Sequence, residues 1–119
     1  MRLKEIEEQV EAKTKELSEK LNCKVHSFIV TVKKETETED GDYAVGYIKE
    51  PPRAVKMQAF DEIMSGSTSK ASSILLSSCM LKDESDKRIL DNKPENDTLY
   101  MTFVFHANDL IKFYSDVIK

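Results

Sequence analysis

Apolar positions recur at two different periods along the chain. Leu3, Ile6, Val10, Leu17 and Leu21 fall at helical spacing with Glu and Lys on the other faces, which predicts an amphipathic helix over residues 2–21. Glu11 with Lys15 and Glu16 with Lys20 are i,i+4 pairs in the favourable order. Leu3, Val10 and Leu17 keep the seven-residue interval of a coiled-coil seam, but Lys13 and Lys20 interrupt its second row after Ile6. The helix therefore has two readings: packing on its own domain, or docking on a neighbouring subunit.

The period then changes to two. Lys24–Val32 (KVHSFIVTV) and Tyr43–Lys49 (YAVGYIK) are rich in β-branched and aromatic residues, predicting a hairpin over 24–49. Asp40-Gly41 is a two-residue turn signal. Pairing across it sets Glu39 opposite Asp42, Thr36 opposite Val45 and Lys34 opposite Tyr47. In that register Phe28, Val30 and Val32 share an apolar face with Tyr43, Val45 and Tyr47, and Ala44, Gly46 and Ile48 lie on the other face with Lys33, Glu35 and Glu37. A lone hairpin is marginal, so helices must cover its apolar face or another strand must join its edge.

Helical spacing returns after Pro51-Pro52. Val55, Ala59, Phe60, Ile63 and Met64 form one stripe that Gly66 ends, and Ser67-Thr68-Ser69 offers capping oxygens to a helix carrying Ala71, Ile74, Leu75, Cys79 and Met80. Residues 83–95 are polar around Ile89-Leu90 and predict a loop with a single helical turn. Asn96 or Asp97 caps a final helix with Leu99, Phe103, Ala107, Leu110, Tyr114 and Val117 on one stripe. Met101, Val104, Phe105 and Phe113 widen its apolar surface. Leu99–Phe105 (LYMTFVF) also has strand composition, but the helical spacing that continues to Val117 favours helix. The expected architecture is a single α+β domain over 1–119: an N-terminal helix (1–22), an antiparallel β-hairpin (24–49) and a three-helix bundle packed on the hairpin (52–119).

Composition narrows the function. The chain has 119 residues, 18 Lys+Arg against 22 Asp+Glu, and a net charge of −4, which argues against generic nucleic-acid binding. Charged residues reach 34%, above the roughly 25% of ordinary domains, leaving little material for a catalytic cavity. No apolar run is long enough to span a membrane. Met1-Arg2-Leu3-Lys4-Glu5 opens into alternating charge, so a cytosolic setting with reduced thiols is expected.

Candidate chemistry is sparse. Cys23 and Cys79 show no metal-ligand spacing with His26 or His106, and Cys79 falls in an apolar helical run as a core residue. The acidic hairpin tip Glu35–Asp42 fails as a calcium loop: with Gly41 aligned to the EF-hand glycine, Tyr47 stands where a bidentate Glu is needed. With three glycines there is no phosphate-cradling loop, and the serines of 65–78 have no neighbouring histidine to activate them. Asp83, Glu84, Asp86 and Asp91, interleaved with Lys82, Lys87 and Arg88, describe a mixed-charge surface loop. The expectation is a non-enzyme with no cofactor and no metal.

The order of elements over residues 46–92 carries a resemblance. A strand ends in Gly46-Tyr47-Ile48-Lys49-Glu50-Pro51-Pro52, the charged helix RAVKMQAFDEIM follows, and a Gly/Ser break leads to SKASSILLSSCMLKDESDKRIL. This resembles the small tail-assembly chaperone-like proteins of tailed bacteriophages. The matching positions are Ala71, Leu75, Leu76, Cys79 and Leu81, with Asp83 and Asp86 in the loop. The helix Met1–Leu21 departs from the shorter N-termini of that group. The resemblance implies a bacteriophage assembly protein in the host cytoplasm that binds apolar segments of tail-tube, tape-measure or other virion subunits, with homo-oligomers as a further option and neither nucleic acid nor membrane as partner. The alternatives are a small virion structural component (auxiliary, connector or cargo subunit) and a cytosolic adaptor module. Candidate partner-binding residues are Leu3, Ile6, Val10, Leu17, Met101, Val104, Phe105 and Phe113; Met57, Met64 and Met80 add adaptable apolar material.

Overall fold

The structure, a computed structural model, describes residues 2–118, with side chains described for residues 2–110. It comprises α1 (Leu3–Leu21), β1 (Val25–Lys33), β2 (Asp42–Lys49), α2 (Arg53–Met64), α3 (Thr68–Cys79) and α4 (Asp97–Ile118), with short 3-10 turns at Lys87–Ile89 and Pro94–Asn96. The α+β order is the expected one: an N-terminal helix, a two-stranded antiparallel sheet and three further helices packed on it. Punctuation follows local chemistry. Asn22 takes a left-handed conformation (φ 51°) to end α1. Gly66 (φ 83°) ends α2, with its N–H donating to Ile63 and the Ser67 N–H donating to Glu62, the paired bonds of a Schellman close. Leu99–Phe105 lies within α4, so the helical reading holds over the strand one.

The hairpin register differs from the expected one. Phe28 stands opposite Gly46, Ile29 opposite Val45 and Val30 opposite Ala44, and residues 34–41 form a long connection in place of a two-residue turn. The shift is by an odd number of residues, so every partner face inverts. The physical reason lies in what each register pairs. The Asp40-Gly41 turn would lay Lys-Lys-Glu-Thr-Glu-Thr-Glu against β2, set Glu39 beside Asp42 and leave Phe28-Ile29-Val30 without a strand. The observed register pairs Val25–Lys33 with β2 and leaves the acidic stretch in solvent. Arg2 gathers that connection: its guanidinium meets Glu35 at 3.1 Å and donates to the backbone carbonyls of Thr36 and Glu37.

Both faces of the sheet are consequently covered. Val10 and Leu17 of α1 pack on Val25 and Tyr47, flanked by Ile6, Ile29, Val45 and Leu81. On the opposite face Ala44 and Ile48, expected among polar neighbours, are fully buried with Leu76, Cys79, Ile89, Phe103 and Ala107. Phe103 sits over Gly46, close enough that its ring edge would lie 2.5 Å from a Cβ there. Ala59, Ala71 and Leu75 join α2 to α3 in a third cluster. Burial pushes the Cys79 thiol above its usual range, in keeping with a packing role.

The segment after α3 is more ordered than a polar loop. Met80 bridges Ile48, the Leu81 N–H donates to the Tyr47 carbonyl (2.8 Å), and the Asp86 N–H donates to the Val45 carbonyl (2.9 Å). The buried Ser85 hydroxyl accepts from the Tyr47 N–H at 2.9 Å. Residues 80–86 thus cover the outer edge of β2. Arg88 then clamps the loop to the hairpin, with a bidentate bond to Asp42 (2.7 and 3.0 Å) and two bonds to Asp86 (2.8 and 3.1 Å). Hydrogen bonding from Arg88 holds both carboxyls below the usual carboxylate range.

Candidate protein-binding surface

The helical repeat of α4 sorts its apolar residues into two opposed groups. Leu99, Phe103 and Ala107 point into the core. Met101 and Phe105 are one turn apart and lie about 160° around the helix from Phe103, at 100° per residue, so they face away from it. They are 59% and 68% exposed. Between these groups α4 is anchored by polar contacts: Asn108 accepts from the Ser72 hydroxyl, and Tyr100 and Ser73 share a hydrogen bond of 2.9 Å. His106 stacks on Phe28 with ring centroids 5.3 Å apart. The helix is thereby held in one rotation, and that rotation presents Met101 and Phe105 outward. A fixed apolar pair of this kind can bury against a partner with little further ordering cost.

The other candidate positions divide differently. Val10 and Leu17 are buried beneath α1 and Val104 is buried in the main cluster, so these three serve the chain's own core and offer little outer surface. The seam of α1 is used within the monomer because the inverted hairpin face, bearing Val25, Ile29, Val45 and Tyr47, requires a cover. Leu3 is half-buried, and Ile6 packs partly against the same cluster. Phe113 lies outside the described side chains, as do Tyr114 and Val117. Of the eight positions, Met101 and Phe105 alone form a fully outward group among the described residues.

Two further surface features stand apart from α4. Met57, Met64 and Val32 are exposed. The edge of β1 away from β2 is open, beside a groove of about 500 Å³ lined by Val10, Ser27, Ile29, Glu7, Glu11 and Lys15. The edge was foreseeable, because a chain with two strands must leave two edges to be covered. Neither feature resembles a reaction centre. Among the described residues, no group of three or more His, Cys, Asp or Glu is placed to hold a metal ion, and no helix is long and apolar enough to cross a membrane. The chain matches no family model, no curated protein and no solved structure.

Proposed function

We propose that the chain is a non-enzymatic protein-binding module that acts in tailed-phage assembly, holding apolar segments of tail-tube or tape-measure subunits before they are built in. The observation that carries the binding part is the outward pair Met101 and Phe105 on a helix whose rotation is fixed by its own core. An exposed Phe beside an exposed Met supplies a large anchor and an adaptable neighbour, the combination suited to apolar segments of varied sequence. The assembly setting rests on the resemblance over residues 46–92. Its Ala71, Leu75, Leu76 and Cys79 are buried, so they contribute the order and packing of elements and leave the contact itself to α4.

Quantitative mass spectrometry of purified particles, set beside the lysate that produced them, tests this reading. A chaperone is present in the lysate and missing from the particle. Stoichiometric copies in the particle would replace it with the virion-component reading. Absence of any association with tail subunits in the lysate would remove the assembly reading altogether.

A further inference from the structure

The two edges of the sheet are treated unequally. The bond from the Glu50 N–H to the Lys24 carbonyl fixes the alternation of the ladder, so Val25, Ser27, Ile29 and Thr31 direct their N–H and C=O groups away from β2. The Val25 N–H is met by the Ser18 hydroxyl at 3.2 Å. Among the described residues, the outward groups of Ser27, Ile29 and Thr31 have no hydrogen-bond partner. Natural edges are ordinarily blunted by a proline, a charge or a covering segment. Residues 25–31 (VHSFIVT) carry no proline, Lys or Arg, and no Asp or Glu. We propose that a second copy of this chain binds here, β1 against β1 and antiparallel, so that two hairpins become one four-stranded sheet with a two-fold axis at Ile29.

Three observations select a second copy as the occupant. Ile29 is the midpoint of Val25–Lys33, so the axis pairs Ser27 with Thr31 of the other copy and satisfies the outward groups of both residues in both chains. The helix geometry fits as well. α1 packs on β1 and β2 together and lies over the middle of the hairpin. With strands about 4.8 Å apart, the two α1 axes would lie roughly 10 Å from one another, the spacing of packed helices. The third observation is charge. Glu7, Glu11 and Lys15 line the groove beside the open edge and form no ion pair among the described residues, so the expected Glu11–Lys15 pair is not made. Because α1 runs antiparallel to its mate across the axis, Lys15 of each copy approaches Glu7 of the other, giving two opposite-charge contacts against the one like-charge contact where the two Glu11 side chains meet near the axis.

Sedimentation velocity of the full chain, from about 1 μM to several hundred μM, reads the association directly. The expected species at high concentration has twice the 13.6 kDa chain mass. Ser27→Lys with Thr31→Lys opposes lysines across the axis and is expected to leave only monomer with an unchanged far-UV spectrum. Lys15→Glu or Glu7→Lys alone should raise the dimer Kd by about threefold to tenfold through two symmetry-related contacts, and the double swap should restore it. The charge swaps decide the matter if the lysine pair disturbs folding. A wild-type chain that stays monomeric throughout overturns the proposal, and so does a dimer indifferent to the charge swaps.

Discussion

Replacing Gly46 by Ala tests the observed hairpin register through the sign of its effect. In the structure a Cβ at this position meets Phe103 Cε1 at 2.5 Å, Phe103 Cδ1 at 3.1 Å and Ile89 Cδ1 at 3.3 Å. Phe103 and Ile89 are fully buried side chains, so neither can swing into solvent to make room. Overpacking of this kind costs about 1–3 kcal/mol. Removing a glycine from a strand returns about 0.5–1 kcal/mol. The net expectation is a loss of up to about 2.5 kcal/mol, centred near 1 kcal/mol, which lowers Tm by several degrees at roughly 4–8 °C per kcal/mol for a domain of this size. Urea unfolding followed by circular dichroism, with the slope checked for two-state behaviour, measures it. In the register suggested by Asp40-Gly41, position 46 lies among polar residues, and the same substitution stabilises. A Gly46→Ala chain as stable as the wild type, or more so, would refute the inverted face and the placing of Phe103 over it.

Two further perturbations follow from the same packing. Leu17→Ala should cost about 2–5 kcal/mol in urea unfolding, because Leu17 closes the α1 face of the sheet; an effect below about 1 kcal/mol would show that α1 is a detachable arm. Arg88→Gln should cost about 1–2 kcal/mol at neutral pH, discounted because Asp42 is about half exposed, and should also flatten the acid limb of the stability curve. The sign follows from the depressed carboxyls: Asp42 and Asp86 stabilise the fold fully above their unfolded value near 3.8, and that stabilisation is lost as pH falls through their lower folded values. An unchanged acid limb in the variant would count against the clamp.

Local structure was legible wherever a single period dominated. Helical stripes located α1 to α4, and Pro52 and Gly66 marked ends because fixed or positive φ is a property of the residue itself, whereas the left-handed Asn22 that closes α1 emerged only in the structure. Pairing was less legible. The Asp40-Gly41 dipeptide is a strong local turn signal, yet strand partners are chosen by the total apolar surface they bury, and the stretch ETETED offers little. The consequence reached α1, whose seam of Leu3, Val10 and Leu17 looks alike whether it meets another subunit or the hairpin. Val104 shows the same limit from the other side: helical spacing separated Phe103 on the core stripe from Val104 and Phe105 as candidate partner contacts, and only the rotation of α4 set Val104 in the core and Phe105 outward. The Arg88 clamp was hidden because its carboxylates, Asp42 and Asp86, are brought together by the fold.

The most direct test of the binding account places a photo-crosslinking amino acid at position 105, with a matched control at Lys24, in cells producing tailed-phage particles. The account predicts light-dependent adducts between position 105 and a tail-tube or tape-measure subunit, identified by mass spectrometry, absent from the control and lost on Met101→Lys. A folded chain that gives no adduct from position 105 beyond the control would contradict it.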